Sequence, residues 1–161
     1  MITPLLPRPI DNTYRGHKLA PWLLLLVVSV KFAQSLGILV GGPSVVSGAD
    51  GIPLDTYTPA AARTVVTLFS LVSVDRLLIG SFCLIVLVRY RSMVPFVLTM
   101  LLLQDLGKQL VFGLLPIARV GTPPGPTVNL ALLALEIVGL VLSLWTHSQA
   151  SQTKTHSTTA A

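Results

Sequence analysis

Six ionisable side chains, Lys31, Asp75, Arg76, Asp105, Lys108 and Glu136, fall within stretches of the chain that are otherwise almost wholly apolar. Charge is expensive in hydrocarbon, so such groups normally turn inward, pair with one another and mark ligand sites or proton paths. Three acids against three bases can neutralise each other there. The chemistry open to them is binding of a polar group, carriage of a proton, or general acid–base work by a carboxyl. The densest signal is Gln104, Asp105, Lys108 and Gln109, which share an arc of roughly 140° on one helix at 100° per residue. Asp105 and Lys108, at i,i+3, can pair within that helix. Lys31 with Gln34 and Ser35 forms a second polar patch. Ser73, Arg76, Gly80 and Cys83 form a third, with Asp75 one position off it. Glu136 has no base in its own segment and must look across to another helix, with Lys31 or Arg76 as partner. The candidate polar core is therefore Lys31, Gln34, Asp75, Arg76, Gln104, Asp105, Lys108, Gln109 and Glu136.

These residues sit in segments of membrane-span length. The chain has 161 residues, of which 52% are hydrophobic and only 11% charged, against roughly 25% charged in ordinary soluble domains. A hydrocarbon layer of ~30 Å needs about 20 helical residues. Four runs qualify, at about 20–40, 60–88, 92–115 and 127–145. They lack the alternation of barrel strands, and helices are the remaining way to cross lipid. The expected fold is all-α, a four-helix transmembrane bundle over residues 20–146. It is preceded by a cytoplasmic segment, 1–19, and followed by a Ser/Thr-rich tail, 147–161, expected to be disordered. Thr58 before Pro59 is a natural helix N-cap. Gly41-Gly42-Pro43 and Arg89-Tyr90-Arg91 are natural stops.

On insertion scales, roughly +6 kcal/mol for Asp105 and Lys108 nearly cancels roughly −6 from the large apolar residues of the third run. That helix therefore needs partners. Arg8, Arg15, Lys18, Arg89, Arg91 and Lys154 fall on one side of the four runs, and Arg63 and Arg119 on the other. This asymmetry places both termini in the cytoplasm. A cleaved signal peptide ending near Ala33-Gln34-Ser35 competes for the first run, although apolar character resumes through Val40.

Several chemistries are absent from the sequence. The three histidines, His17, His147 and His156, lie outside the apolar runs without metal-ligand spacing, so no metal and no cofactor is expected. The single cysteine, Cys83, excludes an intrachain disulfide. The formal charge of +5 is spread around segment ends rather than gathered on an aromatic-interleaved surface, which speaks against nucleic acid. Nucleotide-loop and hydrolase motifs are missing.

The segment Val88-Arg89-Tyr90-Arg91-Ser92-Met93-Val94-Pro95, leading into Leu101-Leu102-Leu103-Gln104-Asp105-Leu106-Gly107-Lys108, resembles the small bacterial four-span DoxX-like proteins over about residues 20–146. That resemblance implies a multi-pass protein of a bacterial plasma membrane and transfers no catalytic residue. The buried acids also resemble the four-span sterol-isomerase and sigma-2-receptor group, but no aromatic cage for a sterol cation is present. Small multidrug exporters resemble the chain in span number, yet place their essential acid in the first helix, where this chain has Lys31. The functional expectation is a buried polar layer in the lipid bilayer that takes a small lipophilic ligand or a membrane partner, which can be a second copy of the chain. A proton-coupled transporter or transporter subunit, and a membrane enzyme acting on a lipid or quinone, are the alternatives.

Overall fold

A computed structural model describes the backbone of Tyr14 and of residues 16–158, with side chains as far as Leu144. Residues 1–13, 15 and 159–161, including Arg8 and Arg15, lie outside the described part. The described chain is all-helical. Helix α1 is Leu19–Gly41, the short α2 is Pro43–Gly48, α3 is Pro59–Arg89, α4 is Val94–Leu114 and α5 is Pro124–Thr158. Four helical stretches are long and apolar enough to cross a membrane: Leu19–Gly41, Pro59–Arg89, Arg91–Leu114 and Pro124–Leu144.

Local chemistry sets their ends. Gly42 adopts φ +47°, a conformation open to glycine that breaks the chain between α1 and α2. Thr58 caps α3, its Oγ1 accepting from the Ala61 N–H at 3.3 Å, with Pro59 in the first turn where no N–H is missed. Tyr90 leaves the helical region, and a single 3₁₀ turn, Arg91–Met93, reverses the chain into α4. Helix α5 continues past its membrane segment to Thr158, through residues 147–158, whose Ser/Thr-rich composition leads one to expect disorder. Extending an already nucleated helix is far easier than starting one.

Helix α1 lies at the centre, against α3 and α5, while α4 packs mainly on α5 and only weakly on α3. The stripe of small residues on α3 explains the closest of these contacts. Ser73, Gly80 and Cys83 are buried, and a Cβ on Gly80 would sit 3.2 Å from the Phe32 ring of α1. Gly139 of α5 likewise lies against Leu98. Gly37 faces open space, while Gly41 lies against Val45 of α2.

Two apolar cores bracket the bundle. One gathers Leu24, Val28, Cys83, Val86, Val94, Val97, Leu98 and Leu101 near the α3–α4 turn. The other joins Ile38 of α1 to Val46 and Ile52 of the first long connection. At the first end, the Tyr14 hydroxyl donates to Ser143 Oγ at 3.3 Å and the His17 N–H to the Leu142 carbonyl at 3.4 Å. The chain therefore enters and leaves the bundle on the side of the α3–α4 turn. At the opposite end the two connections are stitched together. The Val120 N–H donates to the Gly51 carbonyl at 2.8 Å and the Gly125 N–H to the Ala49 carbonyl at 2.9 Å.

Candidate functional site

Between the two cores, four helices contribute polar groups to one place. Lys31 projects from α1 on the helical turn that also holds Ser35, whose hydroxyl donates back to the Lys31 carbonyl at 2.9 Å. Its ammonium Nζ lies 2.7 Å from Asp105 Oδ2 on α4 and 2.6 Å from Glu136 Oε1 on α5. Lys108, one turn beyond Asp105, reaches back to Asp105 Oδ1 at 2.8 Å. Asp105 is thus held through both oxygens by two ammonium groups, and Lys31 is shared by two carboxylates. The pairing of Asp105 with Lys108 and of Glu136 with Lys31 matches the spacing argument. The Lys31–Asp105 link does not follow from spacing, because it needs the relative rotation of α1 and α4.

Depth decides which contacts matter. Glu136 is fully buried, the Lys31 and Asp105 side chains are 13% and 10% exposed, and Lys108 is 29% exposed. The Lys31–Glu136 contact is close but off the hydrogen-bonding axis, and the second Glu136 oxygen has no donor among the described residues. Arg76 Nε on α3 is also buried without an acceptor. A donor on Arg76 and acceptor capacity on Glu136 are therefore left open, and an unmet buried polar group costs about 1–3 kcal/mol.

Lys31, Arg76, Asp105 and Lys108 border a cavity of about 30 Å³ whose lining also includes Gln34, Gln109, Phe112 and Asn129. A space of that size has room for at least one water. Three cations, Lys31, Arg76 and Lys108, meet two carboxylates, Asp105 and Glu136. Above the cavity, Arg119 places its guanidinium carbon 5.3 Å from the centre of the Phe112 ring, a cation–π distance.

The structure sorts the nine candidate residues. Lys31, Gln34, Arg76, Asp105, Lys108 and Gln109 meet at the cavity, and Glu136 joins them through Lys31. Asp75 does not: it lies on the exposed outer face of α3. Adjacent helical residues diverge by about 100°, so with Arg76 turned inward Asp75 is carried outward. Gln104 borders a separate apolar groove between α3 and α4. Two lining residues, Phe112 and Asn129, were not among the candidates. Both carried a signal, since Phe112 is four residues after Lys108, and Asn129 seven before Glu136, on the same helical face.

The first connection adds one further charge. Asp50 is half-buried, and burial holds its carboxyl above the ordinary aspartate range, partly offset by the positive charges of Arg76 and Arg119. A carboxyl whose pKa is raised on folding loses stability as pH rises through that raised value. Amide-exchange protection of Val120 and Gly125, which clamp this connection, is therefore expected to be higher near pH ~4 than near neutrality once intrinsic rates are divided out. The difference should vanish in Asp50→Asn. Equal protection at both pH values in the native chain would remove Asp50 from this role.

Fold and site define a helical multi-pass membrane protein with a buried charge cluster. No protein-family model matches the chain, and neither a curated protein nor a solved structure is found to be similar to it.

Proposed function

We propose that the protein binds a small molecule through a polar group held in the cavity among α1, α3, α4 and α5. The observation that carries this reading is the combination of a shared ammonium at the cavity wall, Lys31 between Asp105 and Glu136, with an open donor on Arg76 beside it. Charges serving only to hold helices together return little, about 0.6 kcal/mol per interhelical polar contact, and would be expected to satisfy one another. We place the protein in a bacterial plasma membrane with both termini cytoplasmic, following the Lys/Arg asymmetry. Kinship with DoxX-like proteins belongs to the same proposal and rests on the Val88–Pro95 and Leu101–Lys108 segments.

Native mass spectrometry of protein purified in mild detergent tests the reading. A co-purifying mass is expected in the native chain and is expected to be lost from Arg76→Gln. A native chain without any adduct, or an adduct retained in full by Arg76→Gln, would count against it. A second reading is favoured by the burial of Glu136 with one oxygen undonated, a position suited to taking up a proton. In that reading the protein is a proton-coupled transporter or a subunit of one. Proteoliposomes loaded with a pH dye would show proton movement abolished by Glu136→Gln. Movement indifferent to that substitution removes this alternative.

A further inference from the structure

The polar cavity and the apolar groove are separate spaces that follow one another along α3 and α4, so a molecule with a polar head and an apolar tail could reach both. Helices α3 and α4 run antiparallel from a short turn, so moving back along α3 and forward along α4 leads in one direction. Near the turn, Ile79, Phe82, Cys83, Phe96, Val97, Met100, Leu101 and Gln104 line a groove of about 330 Å³. That is within the ~300–1,000 Å³ of small-molecule sites. One helical turn further, Arg76 on α3 and Asp105 and Lys108 on α4 line the polar cavity. The groove extends over α4 from Phe96 to Gln104, about 12 Å at 1.5 Å per residue. It exists because α3 and α4 make few contacts beyond their connecting turn.

Charge selects the head group. Lys31, Arg76 and Lys108 exceed Asp105 and Glu136 by one positive charge. Adding Asp50 and Arg119, the charges at the outer end, leaves that excess unchanged. The buried Arg76 Nε supplies a donor without an acceptor. A cavity of about 30 Å³ suits a group no larger than a carboxylate, and the groove suits one chain rather than two. Resting on the cavity reading above, we infer that the ligand is a single-chain fatty-acid carboxylate, its head on Arg76 and Lys108 and its tail between α3 and α4.

The test uses the full-length protein in nanodiscs and palmitate carrying a diazirine in its chain, with the corresponding methyl ester as control. Photolabelling by the acid is expected on the peptides holding Ile79, Phe82 and Met100, competed by unlabelled palmitate. It should fall about tenfold or more in Arg76→Gln, as expected for loss of a charge-assisted contact. Arg76→Lys, which keeps the charge, should retain part of it. Met100→Trp, which fills the groove without touching the charges, should also abolish it. Equal labelling by acid and ester, labelling without competition, or labelling indifferent to Arg76→Gln would each overturn the inference. A co-purifying polar mass lacking an acyl chain, or a two-chain phospholipid lost with Arg76→Gln, would overturn the fatty-acid assignment and leave the cavity reading intact. No adduct and no labelling would overturn both.

Discussion

Lys31→Met is expected to destabilise the protein severely, by about 3–5 kcal/mol, because it leaves the fully buried Glu136 without its counter-ion and Asp105 with Lys108 alone. The ammonium contacts Asp105 Oδ2 at 2.7 Å and Glu136 Oε1 at 2.6 Å, and Glu136 has no other cation in contact among the described residues. Methionine has nearly the same length, so lost volume contributes little and the effect is electrostatic. Lys108→Met should be far milder, about 0–1 kcal/mol. That pair lies within one helix, is 29% exposed on the lysine side, and leaves Asp105 still held by Lys31. Adding Glu136→Gln to Lys31→Met should recover a large part of the loss, since one unpaired charge is removed with its partner. Thermal unfolding in detergent, followed by tryptophan fluorescence, reads all four proteins. If Lys31→Met and Lys108→Met unfold at the same temperature, the shared ammonium does not hold the bundle.

Gly80→Leu is expected to pry α1 from α3. A Cβ alone would stand 3.2 Å from Phe32 Cδ2 and 3.8 Å from Val28, so a leucine must displace either the Phe32 ring or the helix. Overfilling of this kind typically costs about 1–3 kcal/mol. The displacement also moves Lys31, one residue before Phe32, so ligand retention should fall together with stability. Phe32→Ala in the same chain opens the required space and should restore most of both. Gly37→Leu is the matched control, because nothing lies within 4 Å of that position. It should leave both readouts near native values. Equal damage from Gly80→Leu and Gly37→Leu would mean that α1 and α3 do not meet where Gly80 places them.

Both experiments turn on α1, which makes the centre of the bundle and supplies Lys31. A chain shortened by cleavage near Ala33 would lack that ammonium, leaving Asp105 to Lys108 and Glu136 without its cation. The cluster described here therefore requires α1 to remain in place.

The number, length and ends of the spans were legible in the amino-acid order because each depends on contiguous residues. Apolar runs of span length, the Thr58-Pro59 cap and the Gly41-Gly42-Pro43 stop act locally, and the helices begin and end within a few residues of them. The need for buried pairing was legible too, since charge in hydrocarbon demands a partner wherever the chain places it. Partner choice was not. Helices apolar all round carry no stripe strong enough to fix their rotation in advance, and a shift of one residue turns a side chain by about 100°. Rotation of α3 brought Arg76 inward and sent Asp75 to the outer face, and rotation of α4 set Asp105 toward Lys31 while leaving Gln104 in the apolar groove. Those rotations follow from small residues admitting large ones across interfaces, Gly80 beneath Phe32 and Gly139 beside Leu98, contacts between segments far apart in the chain that only the assembled bundle decides.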